Sequence, residues 1–306
     1  MKVLVSGSSG LIGSALVPSL RARGHEVSRL VRKRGRLAAD ETSWDPPSGR
    51  IDKAALEGVD AVVHLGGENI AGGRWTAKRK AEIQQSRVQS TQLLSETLAA
   101  LKRPPRVFAA ASAIGFYGHR GSQTLEEDAA SGSGFLAELC REWEASTEPA
   151  RQAQIRVANL RIGVVLSPSG GALAAVLPIF RLGLGGVVGD GTQYVSWIAI
   201  DDVVGAIEHV LDVEGLHGPV NLVAPNPVTN RAYTSALASV LSRPAFLPVP
   251  AIATRLLFGE MGDELLLSST RVVPHKLLSS SYAFQFPEIE GALRHLLAPE
   301  EPKRSN

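Results

Sequence analysis

The sequence predicts an α/β protein with a doubly wound parallel sheet and a smaller C-terminal lobe. Three observations support this class. Short apolar runs alternate with segments of helical spacing up to about residue 166, a glycine-rich loop follows the first run, and glycine and proline become frequent afterwards. We therefore assign residues 1–166 to the sheet domain, expect 196–224 to return to it, and assign 167–195 and 225–306 to the smaller lobe.

The predicted strands are short runs rich in valine, leucine and alanine, a composition typical of parallel strands buried on both faces. They span residues 2–6, 26–31, 60–65, 107–111 and 155–160. The predicted helices lie between them and end at glycine or proline where the chain offers one. These helices span residues 13–23, 76–101 and 136–150.

The loop after the first strand reads GSSGLIG over residues 7–13. Gly7 permits the tight turn, Gly10 lets the backbone approach a pyrophosphate, and Gly13 lets the helix pack closely on the sheet. The first turn of the helix then offers free N–H groups and a partial positive charge to the phosphates. This is the Rossmann-type dinucleotide site, and its predicted contacts are Gly7, Ser9, Gly10, Leu11, Ile12 and Gly13.

The end of the second strand indicates which dinucleotide is bound. A site that prefers NAD places a carboxylate there for the ribose 2′-hydroxyl, whereas this chain reads Val31-Arg32-Lys33-Arg34. A 2′-phosphate carries about two negative charges, and a guanidinium can hold it through paired hydrogen bonds. We predict NADP(H) as the cofactor, with Arg32 as the main contact and Lys33 or Arg34 assisting. The alternative interpretation is a solvated basic loop.

Composition excludes several other classes. With 32 Lys and Arg against 30 Asp and Glu, the net charge of +2 gives the protein no overall attraction to nucleic acid or membranes. No apolar run reaches the ~20 residues of a membrane span, and the N-terminus does not read as a signal peptide. We expect a cytoplasmic protein with a small-molecule substrate and no nucleic-acid or membrane partner.

Because there is one cysteine and no metal-ligand spacing among seven histidines, we expect no metal site.

Several motifs give the chain a specific family resemblance. They are HLGGENI at 64–70, SAIGFYG at 112–118, LRIGVVL at 160–166, RLGLGG at 181–186 and APNPVTN at 224–230. Together with the glycine loop, they resemble the extended short-chain dehydrogenase/reductases, and within these the atypical "epimerase family" subgroup of unknown substrate. The resemblance covers nearly the whole chain.

The resemblance implies an NADP-bound Rossmann domain and a small C-terminal substrate lobe that closes a cleft. It further implies positions for seven residues. Those expected on the adenosine and ribose side are Leu65, Gly66 and Gly67. Those expected close to the nicotinamide are Ser112, Tyr117, Arg161 and Ile162.

The catalytic pattern of that superfamily is a Tyr-x-x-x-Lys pair with a serine or threonine, and this chain departs from it. None of the four tyrosines is followed by lysine four residues later. The usual serine position, four residues before the Tyr-Gly dipeptide, is Ala113, although Ser112 is adjacent. We therefore name Tyr117 and Ser112 as the candidate catalytic residues, with Glu68 or Lys80 as a further ionisable group. The alternative is a reduction whose proton comes from water or from the substrate.

Two hypotheses for function remain open. The first is an NADP(H)-dependent oxidoreductase or epimerase acting on a small, anionic substrate, since a basic group at residues 74–80 opens the long helix on the cofactor side. The second is a non-catalytic protein that senses NADP(H), motivated by the missing pair. The oligomeric state is also open between monomer and homodimer. Related epimerases often dimerise through the two helices that here span 76–101 and 136–150, but the second of these is polar on much of its surface.

Overall fold

The computed structural model describes residues 1–32 and 35–298, in which strands and helices are numbered in chain order. The strands are β1 Lys2–Ser6, β2 Glu26–Val31, β3 Glu41–Asp45, β4 Arg50–Ile51, β5 Ala61–His64, β6 Val107–Ala113, β7 Thr124–Leu125, β8 Arg156–Ile162, β9 Val164–Leu166, β10 Tyr194–Val195, β11 Trp197–Ala199, β12 Gly218–Leu222, β13 Val228–Thr229 and β14 Arg271–Val272. The helices are α1 Leu11–Ala22, α2 Ala77–Ala99, α3 Phe135–Ala145, α4 Glu148–Gln152, α5 Gly171–Arg181, α6 Ile200–Asp212, α7 Asn230–Leu241, α8 Ala251–Phe258, α9 Glu260–Gly262, α10 His275–Ser279 and α11 Ile289–Leu297.

Eight strands form one large sheet in the order β12-β8-β6-β5-β1-β2-β3-β4. All neighbours pair in parallel except β4, which returns antiparallel beside β3. From β3 to β8 this is the strand order of the doubly wound dinucleotide-binding fold. The predicted fold class is therefore confirmed. Strand order reverses between β1 and β5, and this switch point decides where a ligand can bind.

Each face of the sheet is covered by its own helical layer. Side chains of α1 and α6 share one apolar core with β1, β5 and β12. Side chains of α2 and α4 share a second core on the other face, together with Trp44 and Phe108. Burial of the sheet on both faces explains why its central strands read as continuous apolar runs.

The hairpin at the edge of the sheet and the helix predicted at 136–150 both differ from the sequence prediction. The strand β3 and its hairpin partner β4 were not predicted, because the stretch ETSWDPPSGR is short, polar and rich in proline and glycine. Only Trp44 of this hairpin is buried in the core. The helix predicted at 136–150 is divided into α3 and α4, since Ser146 and Thr147 bond back to carbonyls of α3 and Pro149 starts a new turn.

The smaller lobe is built mainly from α5, α7 and α11, which pack around the buried Trp197. Residues 196–224 supply β11, α6 and β12, and β12 pairs with β8 in the main sheet. The segment after α8 comes back to the sheet domain through the short parallel pair of β14 and β7. Within the described residues, no helix combines the length and apolar character needed to cross a bilayer.

Candidate functional site

A cavity of about 920 Å³ lies where β1, β2 and β5 end, at the switch point of the sheet. Carboxyl ends of parallel strands are where open α/β folds bind their ligands. Its lining comes from five segments of the sheet domain. They include Gly7, Ser8, Ser9, Gly10, Arg32, Trp44, Leu65, Gly66, Gly67, Glu68, Arg79, Ser86 and Gln89. We call this the first cavity.

The glycine loop has no room for side chains at two of its three glycines. Gly7 has a positive φ of 69°, and a Cβ there would lie 2.7 Å from the backbone of Leu65. A Cβ on Gly13 would lie 2.3 Å from the carbonyl oxygen of Gly7. Gly10 precedes α1 and gives it no side-chain cap, so the first N–H groups of the helix, those of Leu11 and Ile12 among them, are free to meet an anion.

Arg32 lies at the rim of the first cavity, with its side chain 62% exposed. Its guanidinium is 3.6 Å from a carboxylate oxygen of Glu68, which also lies 3.9 Å from Arg79. An exposed, weakly paired guanidinium can turn toward a phosphate at little cost. The other two predicted cations, Lys33 and Arg34, lie outside the described residues.

Leu65, Gly66 and Gly67 follow β5 and line the first cavity. The histidine before them, His64, is fully buried and bonds to the hydroxyls of Ser6 and Ser90. Burial lowers the pKa of His64 to about 4, so the imidazole is neutral near pH 7. His64 thus stabilises the end of β5 as a satisfied core residue.

A second cavity of about 430 Å³ lies further along the same edge, beyond the ends of β6 and β8. We call it the second cavity. Its walls come from both the sheet domain and the smaller lobe. They include Ile114, Gly115, His119, Leu136, Val164, Tyr194, Ser196, Arg255, Glu264, Leu265, Leu266, Leu267 and Thr270.

Tyr194 brings a phenol to this second cavity. In the part of the chain that the structure describes, its hydroxyl has no hydrogen-bond partner, and the Arg271 guanidinium lies 4.9 Å from the centre of its ring. The other tyrosines are placed differently. The hydroxyls of Tyr117 and Tyr282 form hydrogen bonds with neighbouring groups. Tyr233 is buried away from solvent, and this burial raises its pKa.

The two predicted catalytic residues lie together in a buried network and line neither cavity. The Tyr117 hydroxyl donates to Asn221 Oδ1 at 2.7 Å and accepts from Arg161 Nη1 at 2.9 Å. Ser112 Oγ donates to Glu144 Oε1 at 2.7 Å. Burial is the main cause that raises the pKa of Tyr117 to about 12, which makes the phenol a poor proton donor at neutral pH.

Arg161 and Ile162 lie at the end of β8. Arg161 is 4% exposed, binds both oxygens of Glu144 and stacks on Phe116 with its guanidinium carbon 3.5 Å from the ring centre. Ile162 pairs with Leu222 across the sheet and packs on the core. The guanidinium of Arg161 is therefore committed to protein partners.

Glu264 joins the smaller lobe to the sheet domain at the start of α3. Its two carboxylate oxygens accept the backbone N–H groups of Phe135 and Leu136 at 2.8 and 2.9 Å. The residue before the helix, Gly134, has a φ of 100°, and a Cβ there would lie 2.7 Å from Glu264 Oε1. A carboxylate in this position neutralises free donors and the positive end of the helix dipole.

The basic group at residues 74–80 is partly neutralised in the fold. Lys80 donates to Glu260 at 2.7 Å, and Arg79 pairs with Glu82 at 3.0 Å. Among the residues described, no group of three or more His, Cys, Asp or Glu side chains is arranged to hold a metal ion. Because Lys80 and Arg79 are paired with carboxylates, the surface around residues 74–80 attracts anions less than the sequence suggested.

Sequence reasoning did not identify Tyr194 or Glu264 as site residues. Each lies far along the chain from β6 and reaches the second cavity or its wall only through the packing of the smaller lobe. No local pattern marks them, because their neighbours in sequence read as ordinary turns and short strands.

Comparisons with known proteins place the chain in a family. Residues 3–223 match the NAD dependent epimerase/dehydratase family, and residues 249–296 match a domain of unknown function, DUF1731. Epimerase family protein MT2273 of Mycobacterium tuberculosis is 44% identical over 95% of this chain and 96% of its own length. Epimerase family protein SDR39U1 of Homo sapiens is 36% identical over 97% of this chain and 100% of its own length.

A comparison with solved structures points to the same family as these two sequence relatives. The crystal structure of human epimerase family protein SDR39U1 (isoform 2) with NADPH superposes with a TM-score of 0.88 at 35% identity, covering 97% of this chain and 99% of that one. The glycine loop, the strand order and these matches lead to one conclusion: the chain belongs to the NAD dependent epimerase/dehydratase family, among the epimerase family proteins related to SDR39U1.

Proposed function

We propose that this chain binds NADP(H) and acts as an oxidoreductase or epimerase on a small molecule held in the second cavity. The observation that carries the proposal is the position of that open cavity, beyond β6 and β8 and along the same sheet edge as the glycine loop. A dinucleotide that starts at the loop would run along this edge toward the second cavity. The NADPH bound to human SDR39U1 supports the choice of cofactor.

The residues of the first cavity fit such a cofactor. The glycine loop and the uncapped start of α1 would hold the pyrophosphate. Because Gly7 and Gly10 have no side chains, the backbone of the loop is accessible to it. Arg32 would hold the 2′-phosphate. Leu65, Gly66 and Gly67 would lie against the adenosine and ribose. When bound, the nicotinamide supplies or accepts a hydride.

We assign the proton-transfer step to Tyr194 in place of Tyr117. Reduction of a carbonyl needs a proton on its oxygen as hydride reaches its carbon, and a phenol within hydrogen-bond reach can donate it. Tyr194 lines the second cavity with an unbonded hydroxyl, whereas the Tyr117 hydroxyl is buried between two partners. The Arg271 cation beside the Tyr194 ring would stabilise the negative charge left on the phenol oxygen.

The walls of the second cavity favour a substrate with an apolar body. Leu136, Val164 and the run 265–267 supply aliphatic surface, and the acids nearby already have partners. We therefore propose a carbonyl compound with an aliphatic or aromatic body. An anionic group on the substrate is not required.

Fluorescence titration with NADPH, followed by absorbance at the NADPH band with a panel of aldehydes, ketones and quinones, tests the proposal. We expect binding, oxidation by at least one carbonyl compound, and a fall in kcat of about 100-fold or more in Tyr194→Phe. Tyr117→Phe is the matched control, and should lose stability but keep most of its kcat. A protein that fails to bind NADPH would refute the cofactor assignment. Equal effects of the two variants on kcat would refute the role of Tyr194.

The non-catalytic alternative is favoured by one observation, the absence of the Tyr-x-x-x-Lys pair. A sensor of this kind must bind NADPH and NADP+ with different affinities, because a ligand shifts a conformational equilibrium only through differential binding. Binding without oxidation by any carbonyl compound, together with a difference between the two affinities, would replace the enzymatic proposal with this one.

A further inference from the structure

The smaller lobe exposes a concentration of large apolar side chains. Among the described residues, twelve such side chains are exposed, and ten of them lie in two short runs, 179–184 and 246–258. Five are between 64% and 74% exposed: Leu182, Phe246, Ile252, Leu256 and Leu257. Single exposed apolar residues are normal on a protein surface, but a cluster of this kind marks an interaction site.

The two runs form one continuous surface. The chain after α5 lies beside the chain before α8, where Leu247 N–H donates to Gly185 O at 3.3 Å and Val249 N–H donates to Val187 O at 2.8 Å. Helix α8 follows immediately. We call these two runs together the apolar surface.

Helix α8 presents its apolar residues outward. Thr254 is fully buried, whereas Ile252 and Leu256 on the opposite side, and Leu257 next to Leu256, are exposed. A helix on the surface of a water-soluble domain normally has the opposite arrangement, with its apolar stripe on the core. Because the outward side chains gain nothing from the core, their presence on this helix points to an apolar partner.

The stretches that carry the apolar surface contain cations and no carboxylates of their own. No Asp or Glu occurs in residues 171–189 or 231–259, whereas these stretches contain Arg181, Arg231, Arg243 and Arg255. Arg255 is paired with Asp263, which lies just beyond them. Arg181 and Arg243 have no ion-pair partner in the described part of the chain. Exposed apolar side chains bordered by cations match the interface of a bilayer that carries anionic lipids.

We propose that the apolar surface docks peripherally on an anionic lipid bilayer. A second copy of the chain fits less well, since an isologous contact through these two stretches would bring arginines of both copies together and no carboxylate from either stretch. This contact needs no spanning segment. It revises the expectation of no membrane partner, which rested on overall net charge and on the length of apolar runs.

Cosedimentation of the full chain with large vesicles tests the proposal. The vesicles contain phosphatidylcholine alone or with phosphatidylglycerol. We expect sedimentation mainly with the anionic vesicles, weakened by salt. The double variant Ile252→Asn/Leu256→Asn should bind at least about tenfold more weakly, because its two side chains no longer insert. The double variant Arg181→Gln/Arg243→Gln should lose most of the preference for anionic lipid.

Two matched controls guard against general effects. Leu278→Asn removes an exposed leucine outside the apolar surface, and Lys53→Gln/Lys102→Gln removes two exposed cations elsewhere. Both should sediment like the wild type. NADPH binding, measured in parallel, should be intact in every variant and confirms that each is folded, since none of these residues lines the first cavity.

Two results would overturn the proposal. One is failure of the wild type to sediment with anionic vesicles at low salt while it still binds NADPH. The other is a dimer, detected by light scattering, that Ile252→Asn/Leu256→Asn converts to a monomer without any vesicle binding. In that case the apolar surface is an interface between copies.

Discussion

Arg161 and Glu144 form a buried ion pair with two parallel hydrogen bonds, Nε to Oε1 at 2.8 Å and Nη2 to Oε2 at 2.9 Å. The pair joins β8 to α3. Removal of one partner would leave the other charge buried alone, which costs about 3–5 kcal/mol. We expect Glu144→Met to lower the melting temperature by several degrees. The double variant Glu144→Met/Arg161→Met should be more stable than Glu144→Met alone. Calorimetry measures both melting temperatures, and a lower value for the double variant would contradict this expectation.

We expect the cofactor preference to depend on Arg32. Arg32→Ala should weaken NADPH binding about tenfold, since a charge-assisted bond to phosphate contributes about 1.5–3 kcal/mol and this side chain is exposed. NADH lacks the 2′-phosphate, so its affinity should change little. Isothermal titration with both cofactors measures the difference. Arg151→Ala, a similarly exposed arginine on α4, is the control, and an equal loss for NADH would contradict the assignment.

His64 should make stability depend on pH in the acidic range. Its pKa is about 4 in the fold because of burial, against 6.5 for a free histidine. Between these values the unfolded chain binds the proton and the folded chain does not, so the free energy of unfolding falls as the pH is lowered from about 6.5 to 4. The difference between the two pKa values corresponds to a loss of about 3 kcal/mol in the free energy of unfolding. Urea unfolding at several pH values measures it, and His64→Gln should show a smaller acid loss.

How far the sequence could predict this molecule depends on how local each signal is. The glycine loop and β1 and β2 lie within 31 residues of each other, and their pattern was sufficient to predict the fold and the first cavity. The hairpin β3–β4 gave no signal, because one buried side chain, Trp44, carries most of its packing. A strand of this kind is held by its neighbours in the sheet and by few features of its own.

The second cavity and the apolar surface depend on tertiary structure. Tyr194 and Tyr117 are both plain tyrosines in the sequence, and only the fold places one beside a cavity and buries the other with its hydroxyl bonded to Asn221. Likewise, Leu256 and Leu237 are both helical leucines, but Leu237 is fully buried and Leu256 is exposed. Composition and spacing are the same for an apolar residue of the core and one of the surface, so the pattern alone could not separate them.

Glu264 should decide how firmly the smaller lobe closes on α3. In Glu264→Gln the amide has one acceptor oxygen, so one of the N–H groups of Phe135 and Leu136 loses its partner, and the charge that complements the helix dipole is lost. Charge-assisted hydrogen bonds of this kind contribute about 1.5–3 kcal/mol. Hydrogen exchange followed by mass spectrometry should therefore show faster exchange in peptides that cover 134–142 and 259–270, with exchange in β1 and β5 unchanged.

Glu260→Gln is the matched control for this experiment, because Glu260 lies four residues earlier and pairs with Lys80 at the surface. Partly exposed ion pairs contribute about 0–1 kcal/mol, so this variant should exchange nearly as the wild type does. If both variants accelerate exchange equally, general loss of negative charge explains the effect and the cap on α3 does not hold the lobe. If only Glu264→Gln does so, the carboxylate is the contact that keeps the wall of the second cavity in place, and the same variant should also bind substrate more weakly.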